Sequence, residues 1–172
     1  MSLPLLVLVI NHIAFDGQQW LIEYTLTSRY SRALFLVQDQ NQPFVRIGAE
    51  GALLEIWLGI PPRSDREKNK LINALILPQF FELPPGATLN KRTILTSPLK
   101  ESGYWLEPSE QASITFEGKT EIHAQLVQGF GISRLEHQNI RSINGLYSWQ
   151  LTARSQIVVL TLPPVNPSIP TR

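Results

Sequence analysis

The chain has 172 residues, with 15 Lys plus Arg against 14 Asp plus Glu, so its formal net charge is +1. Hydrophobic residues at 43% exclude wholesale disorder, and a charged content of 17%, against about 25% in ordinary soluble domains, excludes a coiled coil or a basic nucleic-acid-binding chain. The absence of cysteine excludes disulfide scaffolds, thiolate zinc sites, iron–sulfur clusters and a cysteine nucleophile.

The chain opens on an apolar run, Leu3-Pro4-Leu5-Leu6-Val7-Leu8-Val9-Ile10. It is too short to span a bilayer, which takes about 20 residues. A secretory signal needs a basic start and a small-residue cleavage site, but no Lys or Arg precedes Arg29 and no A-x-A follows. Residues 5–15 therefore predict a buried strand, with His12 as a hydrogen-bonded structural histidine. The expected compartment is the cytoplasm, or the periplasm or exterior if a signal has been removed, with no membrane association.

After the turn signal Asp16-Gly17, Trp20, Ile22, Tyr24 and Leu26 alternate with polar neighbours, the period of a half-buried strand. Residues 33–37, 53–58, 74–83 and 157–162 are more continuously apolar and predict strands nearer the centre of a core. Ser64-Asp65-Arg66-Glu67 matches a capping box, and Leu71, Ile72, Leu75 and Ile76 follow at helical spacing. This predicts a short helix near residues 65–73; the competing reading is a charged loop leading into a strand. Arg63, Arg66, Lys68 and Lys70, interrupted by Asp65 and Glu67, read as a solvated face rather than a nucleic-acid patch. Ala112, Ile114 and Phe116 alternate, as do Ile122, Ala124 and Leu126, with Glu117-Gly118-Lys119 between them as a tight hairpin. Tyr147, Trp149 and Leu151 alternate with Ser148, Gln150 and Thr152 and predict a further strand. The pattern amounts to nine or ten strands in one domain, residues 1–162, as an antiparallel sandwich or barrel. Residues 163–172 carry four prolines and predict an extended tail.

Two stretches add a family resemblance. Residues 21–39, LIEYTLTSRYSRALFLVQD, resemble the strand–polar turn–strand unit near the start of many bacterial immunoglobulin-like domains, with Ser28-Arg29-Tyr30-Ser31 in the turn. Residues 80–99, FFELPPGATLNKRTILTSPL, resemble the crossing of form apolar-x-Leu-x-Pro-Gly that leads into another strand. The resemblance implies an all-β fold, an antiparallel immunoglobulin-like β-sandwich with the one short helix, and a binding role. Intracellular proteinase-inhibitor domains of bacteria look similar at this level, and no inhibitory residue can be carried over from them.

The search for chemistry finds no catalytic constellation. Gly129-Phe130-Gly131 lacks the Lys-Ser/Thr of a phosphate loop, and no G-x-S-x-G occurs. His12, His123 and His137 are far apart in sequence. Glu121 and His123 share one side of a strand about 7 Å apart, as on any polar strand face. No cofactor or metal is expected. The polar stretch 131–145 is long for a loop and carries Arg134, Glu136, His137 and Arg141. His137 beside Glu136 forms an acid–base pair only if a turn brings them together. Trp20 and Trp149 fall on apolar strand sides and read as core. Tyr104 and Trp105 lie between turn signals and are the best candidates for an exposed contact patch. The reading that follows is a non-enzymatic module binding another protein or a second copy of itself through Tyr104, Trp105, Arg134, Glu136, His137 and Arg141. The alternatives are a hydrolase assembled from distant strands and a structural subunit of a larger assembly.

Overall fold

The computed structural model describes residues 2–38, 42–48, 53–64, 67, 78–104, 106–116, 118–134 and 143–162. Among the described residues the chain is mostly β. A three-stranded sheet orders β1 (Leu6–Phe15), β2 (Gln19–Ser28) and β7 (Thr88–Thr96) as β1-β2-β7. A larger sheet orders β4 (Phe44–Ile47), β5 (Leu53–Leu58), β10 (Glu121–Gly131), β3 (Leu34–Val37) and β6 (Phe80–Leu83). Two further strands, β11 (Leu151–Arg154) and β12 (Val158–Thr161), pair with β10 as well. The short strands β8 (Lys100–Glu101) and β9 (Ala112–Ser113) pair with each other, and one helix, α1, covers Ile143–Trp149. No helix among the described residues is long and apolar enough to cross a membrane.

The inner faces of the two main sheets share one hydrophobic cluster. Trp20, Ile22 and Leu26 from β2 meet Leu54, Ile56 and Leu58 from β5, with Ala124 and Leu126 from β10. Each fully buried Leu or Ile contributes about 1.5–3 kcal/mol relative to exposure, so this layer is the main source of stability. Trp20, Ile22, Leu26, Ala124 and Leu126 are residues that the period-two pattern put on one side of their strands, and Leu54, Ile56 and Leu58 belong to the continuously apolar run 53–58.

Two irregularities join the sheets at one edge. In β1 the register slips between Ile10 and His12, which leaves Asn11 as the extra residue of a bulge. The consecutive polar pair Asn11-His12 is its imprint in an otherwise apolar run. His12 is thereby placed, exposed, on the outer face opposite Glu23, not in a structural hydrogen-bond network. The strand beside β10 also carries one extra residue between β11 and β12. There the Ser155 Oγ accepts from the Leu126 N–H at 3.0 Å, in place of a ladder carbonyl. Gln156 then turns its amide to β1: the Ile10 N–H donates to its Oε1 at 3.0 Å, and its Nε2 donates to the Ile10 carbonyl at 2.7 Å. A side-chain amide here takes the place of a neighbouring strand.

Several expectations are corrected. β5 and β10 run parallel, in register from His123 opposite Leu53 to Gln128 opposite Leu58, so the larger sheet is mixed rather than antiparallel throughout. The Lys119 N–H donates to the Phe116 carbonyl, with residue 117 outside the described residues, but the flanking stretches form no hairpin with each other. β9 pairs with β8, and β10 takes its partners elsewhere. The expected strand over 147–152 begins only at Leu151, because residues up to Trp149 form α1. Of the run 74–83, residues 74–77 lie outside the described residues, and among the others the strand covers Phe80–Leu83. The expected helix near 65–73 also lies outside them apart from Glu67, which is in a turn, and so does the tail 163–172.

Candidate functional site

The outer face of the larger sheet is not a bare solvated surface. Register places Phe44 beside Trp57, and Trp57 beside Val127 and then Arg154 across four strands. The next row holds Arg46, Glu55 and Gln125. On the far side Phe35 pairs with Glu82, and Val37 with Phe80. The face thus mixes aromatic rings with cations. The Glu55 carboxylate accepts from Trp57 Nε1 at 3.0 Å and from Arg154 Nη1 at 2.7 Å, while the Arg154 guanidinium stands 5.7 Å from the Trp57 ring centre.

α1 lies on this face, and glycines make room for it. A Cβ on Gly131 would lie 2.1 Å from the Trp149 ring, and one on Gly129 would lie 2.3 Å from the Gln150 Oε1. The Trp149 Nε1 donates to the Ser133 carbonyl, and its ring meets Phe80 edge-on at 5.0 Å. The Gln150 amide binds both the N–H and the carbonyl of Ile60, at 2.9 and 2.8 Å. Leu146 is fully buried against Ile60, with Tyr104 and Tyr147 packed around them. This tertiary anchoring explains why a stretch with strand-like alternation becomes helix: Leu146 and Gln150, four apart, share the helix side that meets Ile60. Gly131→Ala is expected to push the indole off the sheet at a cost of about 1–3 kcal/mol. Tryptophan fluorescence would then shift to the red, and an unchanged spectrum and melting temperature would contradict the close packing.

Tyr104 is placed by its neighbour Ser102, whose N–H donates to the Val45 carbonyl and whose Oγ accepts from the Val45 N–H, both at 2.9 Å. The Tyr104 ring meets Phe44 edge-on at 5.9 Å and, with Trp57, Ile60, Val37 and Pro78, walls a cleft of about 40 Å³. Burial pushes the Tyr104 hydroxyl up to about 12. The neutral phenol is the form that the fold favours. Its contribution is therefore complete below the ordinary tyrosine value near 10 and is lost as pH rises toward about 12. A spectrophotometric titration is expected to show a late phenolate step that disappears in Tyr104→Phe.

Beside Gly103, which precedes Tyr104 in the chain, lies a buried ion pair. Arg46 Nη2 donates to Glu67 Oε1 at 2.8 Å and to the Pro62 carbonyl at 2.6 Å. Ser64 Oγ donates to the same Glu67 oxygen at 3.1 Å, and Arg63 donates to the Glu67 backbone carbonyl. The Glu67 side chain is 0% exposed and the Arg46 side chain 11%. Arg46 Nε and Glu67 Oε2 are buried without a hydrogen-bond partner. Gly103 closes the site, since a Cβ there would lie 2.0 Å from Glu67 Oε1. Glu67 therefore does not belong to a solvated charged face. A carboxylate inside a basic run was the available signal, as was an arginine within the short apolar alternation 44–47.

Of the expected contact residues, Tyr104 and Arg134 are described, while Trp105, Glu136, His137 and Arg141 lie outside the described residues. Tyr104 is half-buried rather than a free patch. Arg134 is exposed, pairs with Glu82 at 3.1 Å and stands 5.9 Å from the Phe35 ring centre. Both lie on the outer face of the larger sheet, with α1 between them. Gln38, Gln42, Pro78 and Tyr104 line the cleft together. Phe44, Trp57 and Arg154 were not singled out as a group by spacing, because register alone makes them neighbours. Trp20 is core as expected, whereas Trp149 is only partly buried, on the outer face. Glu121 and His123 stand exposed on β10, and no group of three potential metal-ligating side chains forms among the described residues.

No family model, curated protein or solved structure matches the chain. The geometry is therefore the basis for a functional reading. Of the aromatic residues on this side Trp57 is buried, at 4% exposure, and Phe44 and Tyr104 are half-buried, while Arg134 and Arg154 are exposed.

Proposed function

We propose that the protein is a non-enzymatic, immunoglobulin-like interaction module that binds another protein through the outer face of its larger sheet. The observation that carries this reading is the presence on one face of the exposed Arg134 and Arg154 with the half-buried rings of Phe44 and Tyr104, the last two set around a buried Trp57. Trp, Tyr and Arg are the residue types that dominate binding energy at protein interfaces. The adjacent cleft, at about 40 Å³, is far smaller than the roughly 300–1,000 Å³ of small-molecule sites. Enclosed binding of a small molecule in that cleft is therefore disfavoured. The low overall charge and the fold resemblance argue for the interaction reading.

The test is cross-linking in the native host followed by mass spectrometry, comparing wild type with a Tyr104→Ser/Arg134→Glu variant. Thr27→Lys, on the outer face of the other sheet, serves as control. Loss of one defined partner in the double variant alone supports the reading. An unchanged partner set in a variant with native circular dichroism refutes it.

A further inference from the structure

The smaller sheet ends on β1, and one side chain guards that edge. The Arg29 N–H donates to the Leu5 carbonyl, so Leu5, Val7 and Val9 turn their backbone groups toward β2. Leu6, Leu8 and Ile10 turn theirs outward. Ile10 is held by Gln156: its N–H donates to Gln156 Oε1 at 3.0 Å, and Gln156 Nε2 donates to its carbonyl at 2.7 Å. The outward groups of Leu6 and Leu8 pair with nothing among the described residues.

An open edge is a template for another strand, and proteins blunt it with charge, proline, a bulge or a cover. β1 has no Lys, Arg, Asp, Glu or Pro. Residues 5–10 are apolar without interruption, the composition that pairs chains strand to strand. The strand is also its own complement. Paired antiparallel about Leu8, two copies set Leu8 opposite Leu8, Leu6 opposite Ile10 and Val7 opposite Val9. Val9, 42% exposed, then finds apolar cover, and no like charges meet. The outward residues of the two copies form three bonded pairs, Leu6 with Ile10, Leu8 with Leu8, and Ile10 with Leu6. Ile10 belongs to two of them, and Gln156 occupies it in each copy. The bulge at Asn11 ends the regular edge beyond it.

We propose that Gln156 is an autoinhibitory contact that keeps the protein from joining its β1 to β1 of a second copy across a two-fold axis. Its amide presents a donor and an acceptor, as a peptide unit of a neighbouring strand does. It fills the position that the second copy needs. Releasing Gln156 exposes an apolar edge without charge, and the two smaller sheets then run on as one. This device sits on the edge of the smaller sheet and is independent of the face built around Tyr104.

Gln156→Met keeps the length of the side chain and removes its donor and acceptor. Light scattering after size exclusion is expected to show a monomeric wild type and a variant that dimerises with rising concentration, about a hundredfold more tightly. That ratio follows from the side-chain hydrogen bonds, two per copy, that a wild-type dimer must first break. Amide exchange at Leu6, Leu8 and Ile10 is expected to slow in the variant as the dimer forms. Val7→Lys/Val9→Lys in the same background sets lysines opposite one another and is expected to restore the monomer. A folded Gln156→Met protein that stays monomeric overturns the proposal. So does association that survives the two lysines or leaves the Leu6 and Leu8 amides fast, which would place the contact elsewhere. The wild type supplies a test that no folding failure can obscure. Its Ile10 amide is expected to exchange slowly and those of Leu6 and Leu8 fast, and equal protection of all three overturns the proposal as well.

Discussion

Glu67→Ala is expected to lower the unfolding free energy by about 3–5 kcal/mol, because it strands a buried guanidinium. Arg46 would keep only the Pro62 carbonyl as an acceptor, at 2.6 Å, in a site where its side chain is 11% exposed. For a chain of this size, that corresponds to a drop in Tm of roughly 10 °C. The pair itself is not worth that much. Its two unpartnered atoms, Arg46 Nε and Glu67 Oε2, show that desolvation is incompletely offset. Arg46→Met/Glu67→Leu is therefore expected to recover most of the loss, since replacing both partners removes both desolvation costs. Urea titration of the two single variants and the double variant measures the coupling directly. A single-variant loss below about 1 kcal/mol would mean that the pair is effectively solvated.

Gln128→Leu is expected to cost about 2–4 kcal/mol despite conserving volume. Gln128 points into the protein from β10 and is 2% exposed. Its Nε2 donates to the carbonyls of Leu58, Val37 and Gly129 at 2.8, 3.0 and 2.9 Å. The first two are the terminal residues of β5 and β3, which occupy the same edge of β10 in succession. The amide fills the gap between them. A leucine would leave those carbonyls buried without a donor, and each carries a desolvation cost of about 1–3 kcal/mol. The expected signature is a lower urea midpoint with an unchanged slope, because the folded surface stays the same. A change within about 0.5 kcal/mol would show that water or local relaxation supplies the missing donor.

These two residues show where sequence reading stops. Gln128 interrupts the apolar set Ile122, Ala124, Leu126 and Phe130, so it is visible as an anomaly. Its use is invisible, since the carbonyls that it serves lie 70 and 91 positions away. Glu67 was misread for the opposite reason. Its neighbours in sequence are charged, which is normally the mark of a solvated face, yet its partner is 21 positions away on β4. For the candidate site, Tyr104 and Arg134 were legible as polar or aromatic residues in turn-rich stretches. Phe44, Trp57 and Arg154 were not legible as their companions, because their adjacency is a matter of strand register.

The sequence by itself determined the low-charge, cysteine-free, strand-rich character of the chain and the inward side of most strands. Those properties are local: side chains alternate every two residues, and burial leaves that period in composition. β2 and the start of β10 follow it closely, while β1 and β5 are more continuously apolar. Only the tertiary structure decided that β5 runs parallel to β10 and that residues 143–149 coil into a helix over Gly131. It also decided that Gln156 stands in for a strand beside Ile10, 146 positions away. Each of these depends on which distant segment supplies the missing hydrogen-bond partner or apolar contact, and no local period records that choice.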